Sequence, residues 1–335
     1  MRKRLPAILI GVSFAASAAA FGQPADTTAP AFAQELELEI DGNEVTLPAT
    51  LTLPASAPGP VPVALIVAGS GPTNRNGNVL GTPYRPFLYA QLAWGLAGEG
   101  IASLRYDKRG AGARAENTDP TTLTTEVFRD DVITIARFLR ADPRFSQLVL
   151  VGHSEGAGLV VQAANAGAPV DGVIMMSGAG RPLKTLLHDQ LSNTLDSAAV
   201  NAADSIVAAY LDGREVRDVP EYLRPLVMPQ YLPMMRSLAA YDPPAEVRQL
   251  AMPLLLVHGG MDLQITERDF SQLVAARPDA GQLIIPAANH VFKASTSRAP
   301  AGQLEQYFDS RLPIVPELVP GVAAWIRAIP RVPPS

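Results

Sequence analysis

Short apolar runs alternate along this chain with amphipathic stretches, at the spacing of strands that are each followed by a helix. The apolar runs are at residues 61–68, 101–106, 147–151, 172–176, 253–257 and 282–285. The stretches at residues 87–98 and 126–139 have helical patterning. Strands that are apolar on both faces are typical of parallel sheets covered by helices on both sides. The pattern therefore predicts an α/β fold with a mainly parallel sheet.

A different pattern precedes the first apolar run. Residues 35–40 alternate strictly between Glu and apolar side chains, and residues 45–53 do so roughly. Asp41, Gly42 and Asn43, which are turn formers, lie between the two stretches. Alternation with a period of two indicates antiparallel strands with one solvated face, so we expect an N-terminal hairpin.

The alternation of strand and helix stops between residues 181 and 247. Prolines separate segments with helical patterning there, at residues 183–195, 199–211 and 222–238. We interpret residues 181–247 as a helical cap inserted into an α/β core. The alternative is an ordinary long crossover with an extra helix.

The core on either side of this insertion would comprise residues 35–180 and 248–335. Within the insertion, several adaptable apolar side chains recur at helical spacing, and we expect some of them to line a pocket. They are Met228, Tyr231, Met234, Met235 and Leu238.

The N-terminal segment has the composition of an export signal. Arg2-Lys3-Arg4 precedes an apolar stretch at residues 5–16 and the small residues Ala18-Ala19-Ala20. Because this stretch is shorter than the ~20 residues of a membrane span, a cleaved signal peptide at residues 1–20 is favoured over an uncleaved anchor. The sequence thus predicts a periplasmic or secreted protein without a stable membrane anchor after signal removal.

A second cleavage motif, Ala31-Phe32-Ala33, would move the cut as late as residue 33. Residues 21–34 are rich in Ala, Pro and Thr, so we expect a disordered lead-in between the signal and the core.

Composition narrows the function further. The chain has a formal net charge of −5 and no cysteine. An acidic chain without a basic patch does not indicate a nucleic-acid partner. The lack of cysteine excludes disulfides, a cysteine-linked lipid anchor and cysteine metal sites. The four histidines are scattered without the spacing of metal ligands, so no metal site is predicted. The sequence also lacks a dinucleotide-binding motif, so no cofactor is predicted. The sequence leaves the oligomeric state open.

The most specific motif is Gly152-His153-Ser154-Glu155-Gly156, which lies between the apolar run at 147–151 and helical residues 157–164. In a nucleophile elbow, a serine occupies a sharp turn from strand to helix, where only small neighbours fit. We therefore predict that Ser154 is a nucleophile. The alternative is a serine that merely belongs to a tight turn.

Asp262 and His290 each follow a later apolar run, which gives the chain order Ser, Asp, His. An imidazole exchanges protons near neutral pH, and a carboxylate can fix its tautomer. His290 is thus the candidate base and Asp262 its partner. The alternatives are a surface-loop histidine and an acid that only stabilises a turn. We expect His153 to pack or orient locally, His258 to be structural and His188 to be exposed.

An oxyanion hole needs two N–H donors held in advance. The backbone N–H of Glu155, directly after the nucleophile, is the first candidate. The second lies in Gly69-Ser70-Gly71, where the glycines permit close approach. Ser70 is the preferred donor and Gly71 the alternative.

Together, these segments resemble the α/β-hydrolase superfamily, in particular its secreted bacterial serine hydrolases. The resemblance is carried by residues 68–73, 105–110, 152–156, 258–262 and 289–290. It implies an α/β-hydrolase fold and triad roles for Ser154, Asp262 and His290. It also implies that Asp107-Lys108-Arg109-Gly110 orders loops at the rim of the site. We expect Asp130 and Asp131, near a helix start, to be surface residues.

The sequence favours a serine hydrolase that cleaves carboxylic esters through an acyl-enzyme, with a small-molecule ester or amide as substrate. A second hypothesis is a serine peptidase or amidase with the same triad. A third, from a different class, is a non-catalytic protein that binds an apolar ligand.

Overall fold

The computed structural model describes residues 28–42, 44–112, 118–193 and 195–330. The expected signal peptide at residues 1–20 and the expected lead-in up to residue 27 lie outside this range. No helix among the described residues is long and apolar enough to cross a membrane.

The strands are β1 (Ala33–Asp41), β2 (Thr46–Pro54), β3 (Val61–Val67), β4 (Ala102–Tyr106), β5 (Phe145–His153), β6 (Gly172–Met176), β7 (Leu254–Gly259) and β8 (Gly281–Ile285). The helices are α1 (Leu88–Gly98), α2 (Thr125–Arg140), α3 (Glu155–Asn165), α4 (Leu183–Ser192), α5 (Ser197–Leu211), α6 (Leu232–Ala240), α7 (Pro243–Gln249), α8 (Glu267–Ala276), α9 (Leu304–Phe308) and α10 (Leu318–Ala328).

These strands form one sheet of eight strands in the order β1-β2-β4-β3-β5-β6-β7-β8. β2 pairs antiparallel with both β1 and β4, and every later pairing is parallel. The mainly parallel sheet with an antiparallel N-terminal hairpin is therefore confirmed. Parallel strands present their carboxyl ends at one edge, which brings the loops after β3, β5, β7 and β8 to the same end of the sheet.

The sheet separates two apolar cores, which explains why its strands are apolar on both faces. In β3, Val63 and Leu65 face the core that contains α2 and α3. Ala64 and Ile66 face the opposite core, which contains α1 and α10. Alternate residues of a strand point to opposite faces, so both sets need apolar side chains.

The start of the first strand differs from the expectation. We expected residues 21–34 to be a disordered lead-in, whereas β1 begins at Ala33. Ala33 is buried and lies opposite Pro54 in the hairpin. The N–H of Ala55 also donates to the carbonyl of Phe32 at 2.9 Å. The pairing with β2 thus begins at Ala33, two residues before the Glu-apolar alternation of the sequence starts.

The segment between β6 and β7 contains α4 to α7 and has an apolar cluster of its own. Leu187 and Leu191 of α4 pack there against Val207 of α5 and Leu226. The expected helix at residues 222–238 is wrong in part, because short 3₁₀ turns replace its first half and α6 begins at Leu232. Prolines cannot donate a helical hydrogen bond, and three of them, at positions 225, 229 and 233, each start a new turn here.

Strand β3 lies in the middle of the sheet, so replacing Leu65, which faces the core with α2 and α3, tests this architecture. Leu65 is fully buried, so Leu65→Ala should lower the free energy of unfolding by about 2–5 kcal/mol through lost contacts and a residual cavity. Leu80 is 57% exposed, and Leu80→Ala is the matched control, with an expected change of about 0.5 kcal/mol or less. Urea unfolding of both variants measures the difference. Equal losses would contradict the placement of β3.

Candidate active site

Ser154 occupies a strained turn between β5 and α3. Its backbone has φ 55° and ψ −119°, and its N–H donates to the carbonyl of Met176 at 2.9 Å. A Cβ on Gly152 would overlap the backbone of Gly156, and one on Gly156 would overlap the carbonyl of Val67. The two glycines of the motif therefore let the start of α3 close onto β5 and β3. This geometry is the one that a nucleophile elbow requires.

Asp262 and His290 meet in a buried hydrogen bond. His290 Nδ1 lies 2.8 Å from Asp262 Oδ2, and both side chains are almost fully buried. Since a carboxylate only accepts, Nδ1 donates its proton to Asp262, and in the neutral imidazole Nε2 then carries the free lone pair. Backbone N–H groups of Gln264 and Ile265 donate to the other carboxylate oxygen at 2.8 and 3.0 Å.

The charge of Asp262 is maintained by these partners. Burial favours the neutral acid, but the interactions with His290 and the two N–H groups outweigh it, so the pKa of Asp262 lies below its ordinary value. The carboxylate is thus a fixed negative charge that orients the imidazole.

His153, next to Ser154 in the chain, contacts the His290 loop directly. Its Nε2 lies 2.8 Å from the carbonyl oxygen of His290, and the two rings are 4.9 Å apart. Its Nδ1 lies 2.9 Å from the hydroxyl of Tyr89. Burial, followed by the nearby His290, lowers the pKa of His153 to about 3, so its imidazole is neutral.

The loop after β3 lies against Ser154 from the other side. A Cβ on Gly69 would be 3.2 Å from the Cβ of Ser154, which shows how closely the two backbones approach. Ser70 and Glu155, the preferred oxyanion donors, line the same pocket as Ser154. Gly71, the alternative donor, has φ 73° and is not among the described residues that line this pocket.

Lys108 holds this loop and the start of α3 together, in agreement with the expectation from the resemblance that residues 107–110 order neighbouring loops. Its buried Nζ donates to the carbonyl of Gly69 at 2.6 Å and to Glu155 Oε1 at 2.9 Å. Lys108 also lies 5.0 Å from the centre of the Phe128 ring. The only sequence signal was its place in a loop that resembles the active-site rim.

The neighbours of Lys108 in that loop anchor two further elements. Asp107 accepts from Arg75 Nη1 at 2.9 Å, and Arg109 donates twice to Asp131 at 2.8 and 2.7 Å. The expectation that Asp131 is a surface residue is wrong, because it is buried by this pair, whereas the side chain of Asp130 is half-exposed.

A small cavity opens beside Ser154. Its volume is about 80 Å³, and its walls combine the core with the segment between β6 and β7. The apolar side chains that line it include Leu159, Leu183, Leu186, Leu238, Tyr241 and Ile265. Of the apolar residues that we expected to line a pocket, Leu238 does so.

The charged side chains that line this cavity are already paired. Among the described lining residues they are Glu155 and Arg181. Glu155 is bound by Lys108, and Arg181 donates to Asp269 at 2.8 Å and to Asp189 at 2.5 Å. Neither side chain is therefore available as an unpaired charge for a ligand.

The remaining histidines do not line the cavity beside Ser154. His258 stacks on Phe270 at 5.2 Å and lines a larger cleft of about 1270 Å³, which Asp262 also lines. His188 is half-exposed, and its Nδ1 lies 2.7 Å from Asp204. No group of three or more metal-ligating side chains occurs among the described residues.

Residues 87–291 match the model of the family described as serine aminopeptidase, S33. The chain belongs to this family. It is thus a member of the α/β-hydrolase superfamily, in agreement with its fold and with the resemblance seen in the sequence.

Comparison with individual proteins agrees with this assignment. The chain is 28% identical to Esterase EstD of Thermotoga maritima over 270 residues, which cover 79% of this chain and 62% of that protein. The match therefore spans about three fifths of the relative's length. Est1E from Butyrivibrio proteoclasticus is similar in structure, with a TM-score of 0.53, 15% identity, and coverage of 87% of this chain and 99% of that chain.

A hypothetical protein from Pseudomonas aeruginosa is similar as well. Its TM-score is 0.60 at 14% identity, with 94% of this chain and all of that chain covered. At such identities these two structural likenesses show the fold alone.

The buried imidazole of His153 predicts a measurable pH dependence of the protein's stability. Below about pH 6.5 the unfolded chain binds a proton at this residue, whereas the folded chain does so only near its pKa of about 3. The free energy of unfolding should therefore fall as the pH drops through this window, by about 1.4 kcal/mol per pH unit. His153→Gln lacks this group and should show a shallower decline. Urea unfolding from about pH 7 to pH 4 compares the slopes, and identical slopes would contradict a neutral buried His153.

The pair of Lys108 and Glu155 predicts a second stability effect. Lys108→Met leaves a nearly buried carboxylate without its partner and should cost about 3–5 kcal/mol of unfolding free energy. Adding Glu155→Gln removes the stranded charge and should recover part of the loss. Urea unfolding of the single and double variants measures both effects. A loss below about 1 kcal/mol for Lys108→Met would show that the pair contributes little.

Proposed function

We propose that this hydrolase is a serine esterase that cleaves carboxylic esters with small acyl groups through an acyl-enzyme on Ser154. The observation that carries this proposal is the cavity beside the Ser154 elbow, which is small, mainly apolar and free of unpaired charge among its described lining residues. An acyl group of a few carbons fits such a cavity without any charged partner. The similarity to Esterase EstD supports the same chemistry.

In the proposed reaction, the Ser154 hydroxyl attacks the ester carbonyl while His290 Nε2 takes its proton. Asp262 keeps the proton on Nδ1 and stabilises the imidazolium that forms. The N–H groups of Glu155 and Ser70 hold the negative oxygen. The intermediate collapses, His290 donates its proton to the leaving alcohol, and Ser154 retains the acyl group.

The second half of the proposed cycle repeats these roles with water as the nucleophile. His290 takes a proton from water as it attacks the acyl-enzyme, and then returns that proton to Ser154 as the carboxylic acid leaves. The signal pattern at residues 1–20 adds the proposal that the protein works in the periplasm or outside the cell.

The alternative activity is suggested by the description of the family, serine aminopeptidase. An aminopeptidase has to bind a positively charged amino terminus close to its nucleophile. The one carboxylate that lines the described cavity, Glu155, is already neutralised by Lys108. This arrangement favours a neutral acyl group over a peptide amino terminus.

Ester hydrolysis by Ser154→Ala tests the proposal. The variant should lose about 10⁴-fold or more in kcat, because the nucleophile is absent, while its melting temperature stays near that of the wild type. The substrates are p-nitrophenyl esters from acetate to decanoate, and we expect the highest kcat/KM for the shortest acyl chains. Amino acid p-nitroanilides serve as the comparison. Faster cleavage of these anilides than of every ester would favour the aminopeptidase, and near-wild-type activity in Ser154→Ala would overturn the assigned nucleophile.

A further inference from the structure

We infer that Tyr89 and His153 are positioning residues that fix the oxyanion loop and the loop of the catalytic histidine relative to each other. One chain of buried hydrogen bonds joins the two loops and passes directly beside Ser154. The inference rests on the proposed function, since it assigns these residues to the same reaction.

The first part of the chain runs from the oxyanion loop to Tyr89. The N–H of Gly69 donates to the Tyr89 hydroxyl at 2.8 Å, and that hydroxyl lies 2.9 Å from His153 Nδ1. Because the hydroxyl oxygen already accepts from Gly69, its own proton is available for Nδ1.

The second part runs from His153 to the histidine loop. His153 Nε2 lies 2.8 Å from the carbonyl oxygen of His290, and a carbonyl can only accept. Nε2 therefore carries the proton of the neutral imidazole, which leaves Nδ1 as the acceptor for Tyr89. Each bond in the chain determines the direction of the next.

Burial gives this chain its rigidity. Tyr89 and His153 are 3% and 4% exposed, so exchange of these bonds with water is suppressed. The peptide group between Ala68 and Gly69 presents its N–H to Tyr89, while the carbonyl of Gly69 accepts from Lys108. The residue before Ser70 is thus held through both its backbone N–H and its carbonyl.

His290 is held in a similar way at two points. Its ring is bound by Asp262 through Nδ1, and its backbone carbonyl is bound by His153. The base and the oxyanion donors have to meet around a single carbonyl carbon of the substrate. A displacement of about 1 Å at such a centre can cost about 10²-fold in rate.

If Tyr89 only packed in the core, replacing it would affect the reaction no more than replacing another buried tyrosine. The protein offers such a tyrosine as a matched control. Tyr106 is buried as deeply as Tyr89, but its hydroxyl makes no hydrogen bond within the described structure. Tyr89→Phe and Tyr106→Phe therefore remove the same atom from a buried ring, but only Tyr89→Phe interrupts the series of hydrogen bonds between the two loops.

The experiment uses the mature protein and its Tyr89→Phe and Tyr106→Phe variants. It measures kcat and KM for p-nitrophenyl acetate, and the rate constant for labelling of Ser154 by a fluorophosphonate probe. Tyr89→Phe should lower both kcat and the labelling rate constant about tenfold, with KM within about twofold of wild type. Tyr106→Phe should leave both rate constants unchanged. Tyr89→Phe should melt at a lower temperature than Tyr106→Phe, because only Tyr89→Phe leaves the buried N–H of Gly69 without an acceptor, so the rates are measured well below both melting temperatures.

Two variants at His153 provide a rescue test that does not depend on Tyr89. His153→Leu removes both hydrogen bonds and should lower the labelling rate further. His153→Gln keeps an amide donor and acceptor and should recover part of that rate. Equal rates for the Leu and Gln variants, or equal rates for Tyr89→Phe and Tyr106→Phe, would overturn the inference.

The labelling rate separates this inference from the proposed function. If the wild type is labelled but hydrolyses no ester, the esterase proposal fails, while the comparison of labelling rates still decides the role of Tyr89 and His153. If the wild type hydrolyses esters and Tyr89→Phe matches the control, only the positioning role fails. Absence of labelling together with absence of ester hydrolysis would overturn both.

Discussion

The close approach of α3 to β3 and β5 is the constraint on which the rest of the site depends. It exists because Gly152 and Gly156 leave no side chain between the elbow and the neighbouring backbones. Helix α3 can then start directly after Ser154. The strained backbone of Ser154 lies at the edge of the sheet where the parallel strands end. The loops after β3, β7 and β8 gather around this point and supply Gly69, Asp262 and His290. A bulkier residue at either glycine would separate these loops even though Ser154, Asp262 and His290 themselves were unchanged.

Much of this arrangement follows from local sequence patterns. The strand-to-helix turn at Ser154 and the order of Asp262 and His290 were readable because each signal lies within a few residues of one strand. The parallel sheet was readable for the same reason, since continuous apolar runs report burial on both faces. The break-up of the expected helix at residues 222–238 was not anticipated, because the cost of each proline depends on whether the chain can turn at that point.

The buried polar contacts could not be predicted from local sequence patterns. Lys108 reaches Gly69, 39 residues away, and His153 reaches His290, 137 residues away. Asp131 carries the same local signal as Asp130, yet only Asp131 meets Arg109 and is buried. Such contacts depend on which loops the topology brings together. A charged residue near the site is therefore interpretable only after the strand order is known.

The separate apolar cluster of the segment between β6 and β7 bears on how proteins of this architecture can diversify. Leu187 and Leu191 help form that cluster, while Leu183, Leu186 and Leu238 of the same segment line the cavity beside Ser154. The two cores of the sheet are distinct from this cluster. Leu183, Leu186 and Leu238 belong to neither core of the sheet, so substitutions there can reshape the cavity without removing a side chain from those cores. Selection can alter which molecules enter the cavity while the elbow beneath it stays the same.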